Sequence, residues 1–241
     1  MSKLYGLAKS RVHPDYPSLQ EIVNTFSDYF SKKISDIRFI LDLSSFVPTF
    51  KQFAGSPLTY FELVSSVSVQ KLIQSSSKSW TLDPLATNIL KLTLDNLVDC
   101  ITCIINDSHI FGIVPSCFKN AIVTPVIKQN LDKNVLKNDR PVSNLLFISK
   151  ILEKVVKSQI TTIIYIEMFN LLDVNQSAYR KFHNTESALL KINNDILMLA
   201  DKKNVVALVL LDLSTAFDTI YHDLLLQRLD TSFGIRGTVF Y

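Results

Sequence analysis

Residues 205–211 read Val-Val-Ala-Leu-Val-Leu-Leu and lead directly into Asp212. A short apolar run of this kind predicts a buried strand delivering a carboxylate to its C-terminal end, where sites in α/β-type sheets gather. A carboxylate so placed can hold Mg²⁺, whose hard shell favours oxygen ligands shared with phosphates. Lys128 and Arg140 flank a polar loop. Bases in such a place can hold phosphate groups. A third group is Gln176-Ser-Ala-Tyr-Arg180, followed by His183-Asn-Thr-Glu186. Together they suggest phosphoryl or nucleotidyl transfer. Each alone has a plainer reading. Asp212 and Asp218 could cap turns or helices, His222 could be a packed or capping histidine, and Arg180 could pair with Glu186.

The elements that must position these groups follow from periodicity. Ser18-Leu-Gln-Glu21 matches a capping box. Ile22, Phe26, Phe30, Ile34, Ile37 and Leu41 then predict an amphipathic helix over about 19–41. A strand-like piece is expected at Tyr60–Val64 and a short helix at Val67–Gln74. Leu94, Leu97, Val98, Ile101, Ile104 and Ile105 predict a second strong helix that stops before Gly112. Ala121–Ile127 reads as a strand, with Pro125 indicating an edge. Residues 128–139 read as a polar loop. Further helices are expected from Ile148 to about Tyr165, from Glu186 to Ala200 and over about 222–229, with the strand at 205–211.

Composition is that of a folded chain: 47% hydrophobic and 20% charged, with five glycines among 241 residues. The net charge of +3 is uneven, since residues 119–157 hold eight bases against three acids. Such a zone suits nucleic acid or phosphate, or else a solvated helix face. No apolar run approaches the roughly 18 residues of a membrane span, and no signal sequence opens the chain, so an intracellular protein without membrane partners is expected. Cys100 and Cys103 form a CxxC with only Cys117 beyond it. A zinc site needs another ligand pair, and small apolar side chains on or near a helix, commonly buried, is the expected role.

A strand ending in Asp also begins haloacid-dehalogenase-type phosphotransferase sites. That chemistry needs a carboxylate two residues on, where this chain has Ser214.

Seven blocks in order carry a resemblance. They are Ser-Lys-Ser-Trp-Thr-Leu-Asp-Pro at 77–84, Phe-Lys-Asn-Ala-Ile-Val-Thr-Pro-Val-Ile-Lys at 118–128, and Leu-Lys-Asn-Asp-Arg-Pro-Val-Ser-Asn-Leu at 136–145. Next come Ile-Ser-Lys-Ile-Leu-Glu-Lys-Val-Val at 148–156, Gln-Ser-Ala-Tyr-Arg at 176–180 and His-Asn-Thr-Glu-Ser-Ala-Leu at 183–189. The last is Leu-Leu-Asp-Leu-Ser-Thr-Ala-Phe-Asp-Thr-Ile-Tyr-His at 210–222. From about residue 15 onward the chain resembles the reverse transcriptase of non-LTR (LINE-type) retrotransposons, particularly the jockey-like and chicken-repeat-like groups.

The resemblance implies an α+β class: a truncated fingers–palm reverse transcriptase with a helical N-terminal extension over 1–117 and fingers plus the first palm strand over 118–241. It implies RNA-directed DNA synthesis, with an RNA template, a DNA primer and deoxynucleotides as partners and Mg²⁺ as cofactor. Asp212 corresponds to the first catalytic, metal-binding aspartate, with the Leu213 carbonyl as a second ligand. Phe217 matches the bulky residue that closes off the sugar 2′ position. Lys128 and Arg140 fall where fingers bases meet the triphosphate, and Arg180 where template or structural contacts are expected. The family's life cycle places it in the nucleus or cytoplasm. Asp139 stands where the family usually has Tyr, Ala178 where it usually has Gly, and Tyr221 is also a departure. The aromatic-x-Asp-Asp hairpin of the palm is absent from this sequence, so no polymerase activity of the chain alone is expected. The alternative is a non-catalytic RNA-binding or interaction module.

Overall fold

The i, i+4, i+8 spacing of Ile22, Phe26 and Phe30 produces helix α1 (Leu19–Asp42) and buries those three side chains. The Phe26 and Phe30 rings stack at 5.8 Å between centroids, and Leu136 packs against the cluster. The apolar stripe runs out toward the C-terminus, where Leu41 is exposed. In this computed structural model the described residues are 19–42, 48–77, 83–127, 132, 135–161, 169, 171–213 and 215–239. The capping-box residue Ser18 lies outside them.

Four helices build the main core: α2 (Ser66–Ser75), α3 (Thr87–Leu92), α4 (Leu94–Phe111) and α5 (Phe147–Thr161). Val69 and Ile73 from α2 meet Leu94, Val98, Ile101 and Ile105 from α4, and Ile151, Leu152 and Val155 from α5. Burial of each Ile, Leu or Val stabilises the fold by about 1.5–3 kcal/mol before entropy is counted. Polar contacts then fix the seam: Ser66 Oγ donates to Asp99 at 2.6 Å, and Gln70 Nε2 donates to Asp95 at 2.9 Å. Helix α4 ends on Gly112 at φ 66°. That left-handed turn suits glycine, and a Cβ there would come to 2.8 Å from the Thr238 carbonyl oxygen. The cysteines differ from expectation in burial: all three are exposed, two of them on α4.

The strand-like piece at 60–64 forms no strand. Side-chain amides take the place of a neighbouring strand. Gln159 donates to the Glu62 carbonyl at 2.9 Å and accepts from its amide at 2.8 Å. Asn106 treats Val64 the same way, at 3.1 and 2.9 Å.

Strands β1 (Ala121–Ile127) and β2 (Asp139–Leu145) form an antiparallel ribbon from Ala121 opposite Leu145 to Ile127 opposite Asp139. Pro125 faces Pro141. Neither has an N–H, so the ladder tolerates both only at a non-hydrogen-bonded rung. Periodicity does not announce β2, because Pro141 and the polar residues around it mask its alternation. Helix α7 (His222–Phe233) ends on Gly234 at φ 63° and leads into a clasp. Residues 53–59 and 231–238 exchange four backbone hydrogen bonds of 2.8–3.0 Å, around a parallel bridge between Leu58 and Ile235.

The chain divides into two units, residues 1–160 with 217–241, and residues 161–216. The second unit contains α6 (Thr185–Asp201), which opens on a reciprocal cap. Asn184 Oδ1 accepts the Ser187 amide at 2.7 Å, and Ser187 Oγ accepts the Asn184 amide at 3.0 Å. None of its side chains is buried, although the spacing of Leu189, Leu190 and Leu197 predicts a core-facing stripe. The predicted strand at 205–211 is likewise not formed. No ladder among the described residues includes it, and Val205, Leu208, Val209, Leu210 and Leu211 are exposed. A continuous apolar run becomes a central strand only when neighbours take its backbone hydrogen bonds and cover both faces. The described residues supply neither. The described residues are thus of α+β type, mostly helical with one small sheet. No helix among the described residues is long and apolar enough to cross a membrane.

Candidate functional site

Asp212 follows the open run and is exposed, as is Leu213 beside it. The correction to the expected geometry is local: the carboxylate stands on an exposed segment without regular secondary structure, not at the end of a buried strand. No group of three or more His, Cys, Asp or Glu side chains that could hold a metal ion occurs among the described residues. A two-metal site needs several carboxylates to neutralise the ions, and one carboxylate with one carbonyl does not fit that requirement.

The ribbon positions the basic pair. Asp139 and Arg140 are consecutive in β2, so their side chains leave on opposite faces. Asp139 is 2% exposed, whereas Arg140 opposite Val126 is exposed to solvent. The last rung, Ile127 with Asp139, sets Arg140 one residue inside the end of the ladder. Lys128 is the next residue after β1 and lies outside the described residues.

Phe217 is 74% exposed in the turn that precedes α7. Sequence reasoning missed what anchors the residues just after it. Arg38 of α1 donates to the carbonyls of Asp218 at 3.5 Å and Ile220 at 3.2 Å. Its guanidinium lies 5.6 Å from the Tyr221 ring centroid, within cation–π reach. The Tyr221 hydroxyl donates to Asp42 Oδ1 at 2.5 Å, and that bond pushes the phenol above its ordinary pKa. Tyr221 is thus the point at which α1 grips the start of α7. Only the arrival of a lone Arg on the apolar stripe of α1 could have signalled it.

Arg180 is half-buried in the second unit and donates to the Asp173 carbonyl at 3.4 Å. The plainer alternative, a pair with Glu186, is not what holds it. The surrounding turn carries two residues with positive φ that sequence reasoning also missed, Tyr179 and Phe182.

Residues 128–239 match the family model described as reverse transcriptase (RNA-dependent DNA polymerase). That stretch contains Lys128, Arg140, Arg180, Asp212, Leu213 and Phe217. Two Drosophila melanogaster proteins are similar to the chain. The probable RNA-directed DNA polymerase from transposon X-element is 27% identical over 168 residues, 69% of this chain and 18% of that protein. The probable RNA-directed DNA polymerase from transposon BS is 25% identical over 119 residues, 49% of this chain and 13% of that protein. The chain therefore spans less than a fifth of the length of these relatives. This region is thus similar to the reverse transcriptase family model and to two transposon polymerases.

Proposed function

We propose that the chain is the fingers and the opening palm segment of a non-LTR, LINE-type retrotransposon reverse transcriptase, with a helical extension over 1–117 before it. In this reading Asp212 and the Leu213 carbonyl are part of a Mg²⁺ site, Phe217 guards the sugar 2′ position, and Lys128 and Arg140 receive the triphosphate. Its partners are an RNA template, a DNA primer and deoxynucleotides, inside the cell. The observation that carries it is the apolar run 205–211 ending at Asp212 within the matched stretch, which forms no strand here and stays exposed to solvent.

The same observation predicts that the chain alone does not polymerise. Two-metal phosphoryl transfer needs carboxylates that this segment does not bring together. Primer extension on an RNA template with Mg²⁺ tests it, and no incorporation is expected. Incorporation that Asp212→Asn abolishes overturns the inactivity. A second reading, a non-catalytic RNA-binding module, is favoured by the exposure of Arg140 on the ribbon. It requires salt-dependent RNA binding that weakens in the Lys128→Ala, Arg140→Ala double variant.

A further inference from the structure

The run 205–211 holds no charge, no proline and no glycine. Its backbone groups have no hydrogen-bond partner among the described residues, and Val205, Leu208, Val209, Leu210 and Leu211 face solvent. Helix α6 hands over to it abruptly. Lys203 sits at φ 60°, its amide donates to the Ala200 carbonyl at 2.8 Å, and the Asn204 amide donates to the Leu199 carbonyl at 3.1 Å. Those two bonds close the helix from its own last turn. A ladder can therefore start at Asn204 and continue through the run. A bare apolar segment of this composition is a template for pairing with another chain.

The flanking charges select the partner. Lys202 and Lys203 precede Asn204, Asp212 follows Leu211, and all three are exposed. In a parallel, in-register pair each would lie beside its own copy, and like charges there oppose the pairing. Reversing one strand removes the conflict. With Leu208 opposite its own copy, Val205 meets Leu211, Val206 meets Leu210 and Ala207 meets Val209. The seven apolar residues then contact only one another. Asp212 falls opposite Asn204 with Lys202 on the same-face diagonal, within reach of a long side chain. Asp201 stays behind in the last turn of α6.

We propose that 205–211 is a self-recognition strand, through which two copies of the chain pair antiparallel about a two-fold axis at Leu208. The occupant is a second copy because the charge pattern is complementary to its own reversed image, and a two-fold contact uses the same patch on both subunits. Two strands alone are marginal in water. Leu189, Leu190 and Leu197 on α6 of the same unit are exposed as well, which leaves apolar area to cover a face of the ribbon. The pairing does not depend on the polymerase reading.

The test uses the full chain with Cys100→Ser, Cys103→Ser and Cys117→Ser, since all three thiols are exposed. Sedimentation equilibrium should show the mass rising with concentration toward twice that of the chain. Leu208→Lys sets like charges opposite each other at the axis and should hold the chain monomeric. Its circular dichroism should stay that of the parent, because Leu208 is already exposed. Orientation is read by adding Val205→Cys to one preparation and Leu211→Cys to another, mixing them and exchanging with oxidised glutathione. The mixed disulfide should dominate, since 205 lies opposite 211 whereas the two 205 positions sit roughly 20 Å apart, beyond disulfide reach. A monomer at every concentration, association that Leu208→Lys leaves intact, or Val205→Cys linking to itself as readily as to Leu211→Cys overturns the proposal.

Discussion

The side-chain amide of Gln159 closes on both backbone groups of Glu62, donating to its carbonyl at 2.9 Å and accepting from its amide at 2.8 Å. Helix α5 thereby satisfies both backbone groups of Glu62, as a paired strand would. Gln159→Ala should cost about 0.5–1.5 kcal/mol for each hydrogen bond lost. Urea unfolding measures the total, and hydrogen exchange should speed at the Glu62 amide. Gln159→Glu, which can still accept but no longer donate, should restore protection of that amide alone.

The core and the open run should respond oppositely to truncation. Ile105 and Ile151 are fully buried, so Ile105→Ala or Ile151→Ala should destabilise the fold by about 2–5 kcal/mol. Val209 and Leu211 already face solvent. Val209→Ala and Leu211→Ala should therefore change stability by less than about 0.5 kcal/mol. An exposed apolar segment with unpaired backbone groups invites self-association. Leu211→Lys should raise solubility with no loss of stability, as sedimentation at increasing concentration will show.

Asp83 falls within the sequence block at 77–84, and its Oδ1 accepts the Phe147 amide at 2.8 Å. That amide is one of the donors left over at the start of α5. Asp83→Ala should cost about 0.5–2 kcal/mol, and Asp83→Asn should recover most of it. The thermal midpoint of each variant checks the order.

His109 is buried on α4 and donates through Nδ1 to the Glu62 carbonyl at 3.2 Å, against the Phe61 ring. Its Nε2 is buried with no hydrogen-bond partner among the described residues. Burial pushes the imidazole below its ordinary pKa, and the bond to the Glu62 carbonyl opposes this only in part. The folded chain therefore resists a proton that the unfolded chain accepts. Stability should be full above about pH 6.5, decline as pH falls below it, and level off beneath the lowered folded value. His109→Asn, which keeps a donor for Glu62, should flatten that decline in urea titrations run across the window.

Helices were legible where a stripe repeats. The spacing of Ile22, Phe26 and Phe30, and that of Leu94 to Ile105, marks α1 and α4 almost to the residue, and Gly112 marks the stop. Strand β1 was readable from its β-branched run. Strand β2 was not, because Asp139, Pro141, Ser143 and Asn144 give it no apolar alternation, and its partner alone specifies it. The run 205–211 has the composition of a central strand, yet composition states what a segment can bury and not whether a cover exists. Among the candidate site residues, Asp212, Arg140 and Phe217 could be named from their blocks. Arg38 could not, since its hydrogen bonds to Asp218 and Ile220 span some 180 positions. The positive φ of Tyr179 and Phe182 also left no trace, because neither residue is a glycine or an asparagine.

The clasp between residues 53–59 and 231–238 has a consequence for synthesis. The α2–α5 core can condense once residue 161 has cleared the ribosome, but the segment before α2 must wait for its mate. Until residues 234–238 emerge, Leu58 and Thr59 lack these backbone partners, and everything from 161 to 216 is extruded between the two halves of the fastening. A nascent chain stalled in that interval would be half-buttoned, a substrate for chaperones and proteases.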